Sequence, residues 1–157
     1  MNITLILIGK TDADYLKIGV DLYLKRLKHY VNFNTIVVPD IKKKKNLSFV
    51  QQKKEEGDLI LKHIKNDDFI VLLDEKGKSF SSEGFSGFIN KKMISGIKNL
   101  VFIIGGPYGF SNEIYNIAKH KIALSEMTFS HQMVRLIFVE QVYRAFTILK
   151  NEPYHHK

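Results

Sequence analysis

Residues 100–104 read Leu-Val-Phe-Ile-Ile, and Gly105 and Gly106 follow them directly. An unbroken run of β-branched and aromatic residues is typical of a strand that is buried on both faces, as in a parallel sheet. Other short apolar runs are spread along the chain, and several of them are also continuous: Ile3–Ile8, Phe33–Val38, Phe69–Leu73 and Ile122–Leu124. Together these runs predict the strands of one mostly parallel sheet.

Helical patterns lie between the predicted strands. The first has apolar residues at intervals of three and four, with Thr11 as its expected cap: Leu16, Val20, Tyr23, Leu27 and Tyr30. A second helix is predicted over about residues 46–64, a third from Ser81 or Ser82, and a short fourth from Ser111. This alternation predicts an α/β fold in which a mostly parallel sheet is flanked by helices. No repeat, linker or change of composition divides residues 1–157, so a single domain is expected.

The composition excludes several classes of protein. The chain has 157 residues and no cysteine, which excludes a disulfide framework, a thiolate metal site and a cysteine nucleophile. The longest unbroken apolar stretches, such as Leu136–Val139, are far too short to span a bilayer. Ile3–Ile8 lacks the basic lead-in and the cleavage site of a secretory signal. We therefore expect a cytoplasmic protein with no membrane partner.

Positive charge is in excess. The chain has 24 Lys and Arg residues against 16 Asp and Glu residues, a net charge of +8. Lys and Arg release counterions when they neutralise phosphates, so this excess favours a polyanionic partner such as nucleic acid. The alternative is that the charge only keeps a lysine-rich protein in solution. The densest run, Lys42–Lys45, is typical of a solvated loop, with phosphate contact as the alternative.

The last predicted helix, about Gln132 to Lys150, is apolar nearly all round. Such a helix has to be covered on more than one side. In so small a domain the sheet covers one side, and a second subunit is the economical cover for the other. This pattern predicts a homodimer with the last helix at its interface. The alternative is a helix that is central in the core of a monomer.

Two arginines lie on this helix. Arg135 falls within the apolar face, where an unpaired guanidinium is costly. It is therefore expected either to bond carbonyls at the interface or to reach into a site. Arg144 follows Glu140 by four residues, the favourable order for a helical ion pair, so the spacing predicts that pair.

Ligands of open parallel sheets bind beyond the carboxyl ends of the strands. Here three predicted loops lie at such ends: Leu73–Lys78, Gly105–Gly109 and Ser125–Ser130. Glycines directly after a strand let the backbone approach a ligand closely, although such glycines more often only tighten a loop. The sequence has no G-x-G-x-x-G, P-loop or H-E-x-x-H motif. His155 and His156 have only Glu152 nearby, so no metal is expected.

Several motifs together resemble one known family, and their order and spacing are highly specific. They are Phe102-Ile103-Ile104-Gly105-Gly106-Pro107-Tyr108-Gly109, Ala123-Leu124-Ser125-Glu126-Met127-Thr128-Phe129-Ser130-His131, Glu140-Gln141-Val142-Tyr143-Arg144-Ala145 and Pro153-Tyr154-His155. The chain resembles the RlmH family over its whole length. These are SPOUT-class methyltransferases that modify N3 of a pseudouridine in large-subunit ribosomal RNA. Ser130 stands where proline is usual, and His156 is inserted before the terminal Lys157.

The resemblance implies a cofactor, a fold and an assembly. The cofactor is S-adenosylmethionine, held in a bent form by loops of a deep C-terminal trefoil knot. The active site forms between the two subunits of a homodimer, and the substrate is ribosomal RNA, with the assembled ribosome positioning the target. The residues implied to contact the cofactor, largely through backbone groups, are Leu73, Gly105, Leu124, Ser125, Glu126, Met127, Thr128 and Phe129.

The resemblance also implies which side chains serve the methyl transfer. N3 has to lose its proton, so a general base or a group that stabilises the imide anion is useful. His155 can act as an acid or a base, Tyr154 can stack on a base or bond its edge, and Arg144 can hold phosphate or anionic uracil. One alternative function is a ribosome-binding or assembly factor without activity. Another is a SPOUT enzyme that acts on tRNA or on a ribose 2′-hydroxyl.

Overall fold

The computed structural model describes residues 1–41 and 47–155, and within them five strands alternate with five helices. The strands are β1 (Asn2–Ile8), β2 (Asn32–Val38), β3 (Asp68–Ser79), β4 (Asn99–Ile104) and β5 (His120–Ala123). The helices are α1 (Asp14–Leu27), α2 (Phe49–Leu61), α3 (Ser82–Ile94), α4 (Asn112–Ile117) and α5 (Met133–Leu149). The strands form one parallel sheet in the order β2-β1-β4-β3-β5. The predicted α/β fold with a parallel sheet flanked by helices is confirmed.

The sheet separates two hydrophobic layers. In the central strand β4, Leu100, Phe102 and Ile104 belong to the layer that includes residues of α3 and α5. Val101 and Ile103 belong to the opposite layer, which includes residues of α2 and α4. All five side chains are at most 3% exposed. Both faces of this strand are buried, which explains why its sequence is continuously apolar.

Serine side chains cap three of the helices. Ser48, Ser81 and Ser111 each accept a hydrogen bond from a backbone N–H in the first turn, so the predicted starts of the third and fourth helices are confirmed. The prediction for the first helix is wrong at both ends, because its N-cap is Ala13 and it ends at Leu27. The hydroxyl of Thr11 instead accepts a hydrogen bond from Nη1 of Arg135.

β3 is longer than predicted. The segment after Leu73, expected as a loop, continues as strand to Ser79. β4 ends opposite Leu73, so beyond this residue β3 pairs only with β5, at Lys78 and Ser79. The residues after Leu73 are mostly exposed, which is why they are polar. The β3–β5 register shifts between Leu73 and Lys78. A Cβ at Gly77 would lie 2.5 Å from the backbone nitrogen of Ile122, so this close approach requires glycine.

The last helix, α5, is largely buried within the single chain. Its inner residues are at most 4% exposed: Phe138, Val139, Val142, Ala145 and Phe146. Besides the sheet, α1 and α3 lie against it, as in the contacts of Gly19 with Leu136 and of Phe85 with Phe138. Leu136 and Ile137 remain only half-buried. None of the helices in the described part of the chain combines the length and the apolar character that a membrane span needs.

Candidate functional site

A cavity of about 630 Å³ lies at the carboxyl ends of β4 and β5, beside the part of β3 where its pairing with β4 ends. The segments that follow β4 and β5 form most of its wall together with residues 73–76 of β3, because Leu73 of β3 pairs with both Ile104 of β4 and Ile122 of β5. The parallel register therefore brings the segments after β4 and β5 to the same edge of the sheet as residues 73–76 of β3. This is the place where open α/β sheets bind ligands.

The structure brings together most of the residues that the sequence predicts at the cofactor. Seven of the eight line the cavity: Leu73, Gly105, Leu124, Ser125, Met127, Thr128 and Phe129. Glu126 is not among the lining residues. Met127 is 77% exposed, so its side chain lies at the open side of the cavity. The part these residues play in binding stays a prediction.

The first two glycines after β4, Gly105 and Gly106, leave little room for a side chain. A Cβ on Gly105 would come within 3.0 Å of the ring of Phe110, which is itself buried. A Cβ on Gly106 would lie 2.9 Å from Oε1 of Glu56 and still closer to Oε2. Gly109 has φ +80° and donates its N–H to the carbonyl of Gly106. The loop therefore presents main-chain atoms to the cavity in a conformation that suits glycine.

Glu56 is a buried carboxylate that the sequence did not indicate. It is 2% exposed on α2, and its Oε1 accepts a hydrogen bond from Gln52 Nε2 at 2.8 Å. Its position in a charged run, Lys53-Lys54-Glu55-Glu56, is typical of a solvated helix face. Only the close approach to Gly106 reveals that it packs behind the glycine loop.

Asp74 and Tyr115 form a polar pair in the wall of the cavity. The hydroxyl of Tyr115 donates to Oδ2 of Asp74, and both residues line the cavity. Burial, followed by this hydrogen bond, raises the pKa of Tyr115 to about 12. Tyr115 was not predicted at the site, because an isolated tyrosine in a short helix carries no sequence signal.

Arg135 bonds carbonyls of its own chain rather than reaching into the cavity. It is 1% exposed and donates from Nη2 to the carbonyl of Ile8 at 2.6 Å and from Nη1 to that of Gly9 at 3.0 Å. Nη1 also donates to the hydroxyl of Thr11, and Nε donates to the carbonyl of His131. Burial lowers its pKa below the usual value. These hydrogen bonds of Arg135 connect the end of β1 to the start of α5 beside the cavity.

A second cluster joins the three predicted catalytic residues around Glu140. Arg144 donates from Nη2 to Glu140 Oε1 at 2.6 Å, so the predicted ion pair is confirmed. The same oxygen accepts from the hydroxyl of Tyr154 at 3.0 Å. The guanidinium carbon of Arg144 lies 4.8 Å from the centre of the Tyr154 ring, and its Nη1 lies 3.4 Å from Nδ1 of His155. Burial, then hydrogen bonds to Tyr23 and Glu140, raises the pKa of Tyr154.

The cavity and this cluster lie at different ends of α5. Val134, in the first turn, lines the cavity. Arg144 follows it by ten residues, which corresponds to about 15 Å along a helix. The structure therefore does not bring the predicted catalytic residues to the cavity within one chain. In the described residues, no three His, Asp or Glu side chains are grouped as a metal ion requires.

Comparisons with known proteins agree on one family. Residues 1–155 match a family model described as "Predicted SPOUT methyltransferase". Over all 157 residues and the full length of both proteins, the chain is 60% identical to the ribosomal RNA large subunit methyltransferase H of Christiangramia forsetii. It is 59% identical over the same coverage to the protein of that name from Parabacteroides distasonis, and 50% to that from Porphyromonas gingivalis. With a parallel α/β sheet whose strand ends form one cavity, and with these matches over nearly its whole length, the chain belongs to the RlmH family of SPOUT methyltransferases.

Proposed function

We propose that this chain transfers a methyl group from S-adenosylmethionine to N3 of a pseudouridine in large-subunit ribosomal RNA, with the assembled ribosome as substrate. The observation that carries the proposal is the cavity, in which the glycine loop and residues 124–130 follow β4 and β5 and meet beside Leu73 of β3. The names of the relatives support ribosomal RNA as the substrate class. Ribosomes are cytoplasmic, so the protein works in the cytoplasm.

The lining of the cavity fits S-adenosylmethionine. Its volume of about 630 Å³ suits a ligand of this size, since small-molecule sites span roughly 300–1,000 Å³. Leu73, Leu124 and Phe129 supply apolar surface for a flat heterocycle, and Gly105 leaves main-chain atoms free for its polar edge. Glu75 and Asp74 supply negative charge for the ammonium and sulfonium groups. When bound, the cofactor supplies an electrophilic methyl group.

A second copy of the chain completes the site in this proposal. The cluster of Arg144, Tyr154 and His155 lies about 15 Å from the cavity along α5, too far to reach a nucleotide bound there. An exposed apolar stripe on α1, next to α5, supports a dimer: Tyr15, Ile18 and Leu22 are 65%, 69% and 45% exposed at helical spacing. A dimer through α1 and α5 covers this stripe and carries the cluster of one copy to the cavity of the other. The C-terminal trefoil knot belongs to the same proposal.

The geometry of the cluster indicates what each side chain does. Arginine only donates hydrogen bonds, so its contact with Nδ1 assigns the proton of neutral His155 to Nε2. In this arrangement, N3 gives its proton to solvent water, and His155 donates from Nε2 to an oxygen of the uracil ring to stabilise the resulting anion. Arg144, oriented by Glu140, adds a fixed positive charge nearby. The ring of Tyr154 is held against the guanidinium and fixes the orientation of both.

Most of the rate acceleration then comes from alignment. Methyl transfer needs the donor carbon, the sulfur and N3 in line, and a well-aligned pair gains several kcal/mol over a free encounter. The fold supplies rigid supports on both sides, since the cavity is built on paired strands and the cluster on a buried helix.

Labelled S-adenosylmethionine and ribosomes from cells that lack the modification test the function. We expect label in large-subunit RNA, and nuclease digestion with mass analysis should find it on N3 of a pseudouridine. Label on tRNA or on a ribose 2′-hydroxyl would mean that the protein is a SPOUT methyltransferase with a different target. A folded protein that binds ribosomes but gives no heat on titration with S-adenosylmethionine would instead be a non-catalytic ribosome-binding or assembly factor.

A further inference from the structure

A second groove, of about 350 Å³, lies beside the cavity and shares Lys76 and Tyr115 with it. Of its eight lining residues four are lysines and none is acidic. We call this feature the lysine groove and define it by Lys76, Lys78, Lys119 and Lys121. All four lysines are exposed. The groove therefore gathers positive charge next to the proposed site of methyl transfer.

The pairing of β3 with β5 fixes the positions of three of these lysines. Lys78 lies opposite Ile122 in the β3–β5 pairing, and Lys121 lies opposite Leu72. The backbone N–H of Lys119 donates to the carbonyl of Ile70 at 2.9 Å. Gly77, between two of the lysines on β3, is the residue that permits the close approach of the two strands. The backbones of the groove are thus part of the sheet edge rather than of a loose loop.

Within the described part of the chain, none of the four lysines forms an ion pair. Lys121 lies 5.6 Å from the centre of the Tyr115 ring, and Lys78 lies 5.1 Å from that of Phe80, so aromatic faces rather than carboxylates support them. The nearby carboxylate of Asp74 lines the neighbouring cavity and accepts from Tyr115. Partial burial, and to a smaller extent the charges of Lys92 and Lys78, lowers the pKa of His120 in the same groove.

We propose that the lysine groove binds the sugar–phosphate backbone of the RNA strand that flanks the methylated nucleotide. The inference rests on the proposed function and adds a binding site to it. Phosphate contacts fix the position of a strand without reading its sequence, and lysines supply them. A strand anchored beside the cavity places its neighbouring base over the cavity mouth. A concave, lysine-lined edge without carboxylates suits a phosphate chain better than a protein surface, whose carboxylates are scattered.

The test compares two variants that each lose three positive charges. The groove variant is Lys78→Gln/Lys119→Gln/Lys121→Gln. The control is Lys62→Gln/Lys65→Gln/Lys98→Gln, which changes exposed lysines in the segments that precede β3 and β4 and that line neither the cavity nor the groove. The affinity of each protein for a labelled large-subunit RNA fragment is measured over a range of salt, together with the KM for ribosomes and the affinity for S-adenosylmethionine. Circular dichroism and thermal melting verify that both variants are folded.

We expect the groove variant to reduce the slope of log affinity against log salt by about two to three units, because each lost phosphate contact removes roughly 0.7–0.9. Its KM for ribosomes should rise while its cofactor affinity stays at the wild-type value, and the control should change the slope far less. Equal slopes for the two variants would overturn the proposal. So would weaker ribosome binding with unchanged RNA binding, which would assign the groove to a ribosomal protein. If the wild type binds RNA through this groove but methylates no large-subunit RNA, the proposed function is refuted while the assignment of the groove to RNA binding stands.

Discussion

The hydroxyl of Tyr154, beyond the end of α5, lies 3.1 Å from the hydroxyl of Tyr23 on α1. The ring of Tyr154 also packs edge-on against Tyr143, with the centroids 4.8 Å apart. The C-terminal segment is therefore attached to two helices at the surface that we propose to form the dimer. Changes in this segment can therefore be used to measure its effect on activity and its effect on stability separately.

Deletion of residues 154–157 should abolish methyl transfer while cofactor binding remains. The cavity is lined by other residues, so calorimetry should find the affinity for S-adenosylmethionine unchanged. The fold should lose about 1–3 kcal/mol, because an aromatic contact and two hydrogen bonds of Tyr154 disappear. The matched variant Tyr154→Phe keeps the ring and should lose only about 1 kcal/mol. A truncated protein that methylates ribosomes at the wild-type rate would remove the segment from the active site.

Side chains at the glycine loop should close the cavity. A Cβ on Gly105 meets the ring of buried Phe110, so Gly105→Val is expected to push the loop inward and lower cofactor affinity at least about tenfold, or 1.4 kcal/mol. Gly106→Ala should act in the same direction, since its Cβ meets the buried Glu56. Titration calorimetry measures both.

Gly87 offers a control within the same chain. It lies inside α3, and a Cβ added there would meet nothing within 4 Å, so Gly87→Ala should leave cofactor affinity unchanged. It should also raise stability by about 0.5–1 kcal/mol, since alanine favours a helix. Wild-type cofactor affinity in Gly105→Val would mean that the loop is not part of the pocket.

Arg135 should matter for stability and for the cavity together. Arg135→Met leaves the buried carbonyls of Ile8 and Gly9 without a donor, which costs about 1–3 kcal/mol for each unsatisfied group. Chemical denaturation should therefore find a loss of at least about 2 kcal/mol. Because His131 lines the cavity and its carbonyl accepts from Arg135 Nε, cofactor affinity should fall as well. Arg135→Lys keeps one charged donor, so its stability should lie between those of the wild type and Arg135→Met. An Arg135→Met variant as stable as the wild type would contradict this role.

The sequence predicted the sheet well because strands that are buried on both faces have continuously apolar sequences. β4 is apolar at every position after Asn99 for that reason, and its neighbours β1 and β3 have similar runs. The extension of β3 beyond Leu73 was missed, because a strand segment that pairs on one side and faces solvent has no apolar pattern. Gly77 was missed for a related reason, since its close approach to Ile122 depends on a register shift that only the three-dimensional pairing shows.

The candidate site was predictable where it follows strand ends and not where it depends on tertiary packing. Leu73, Gly105 and Met127 line one cavity because the parallel pairing places Leu73 beside the ends of β4 and β5. Glu56 was hidden in a charged run, and its burial follows from the docking of α2 beside the glycine loop. The lysine groove joins residues about 40 positions apart in sequence, which only the β3–β5 pairing brings together.

Ionisation of Tyr115 should lower the stability of the protein at alkaline pH. Its pKa in the fold is raised to about 12 by burial and by Asp74, whereas in the unfolded chain it is about 10. Above pH 10 the unfolded state loses this proton and the folded state keeps it until about pH 12, so the contribution of Tyr115 to stability is full below pH 10 and is lost as the pH rises through that window. Tyr115→Phe has no such proton. Urea denaturation at several pH values should therefore find that stability falls more steeply between pH 10 and 12 in the wild type than in the variant, by at most about 1.4 kcal/mol per pH unit. Parallel curves would mean that Tyr115 ionises equally in both states and that the bond to Asp74 does not hold its proton.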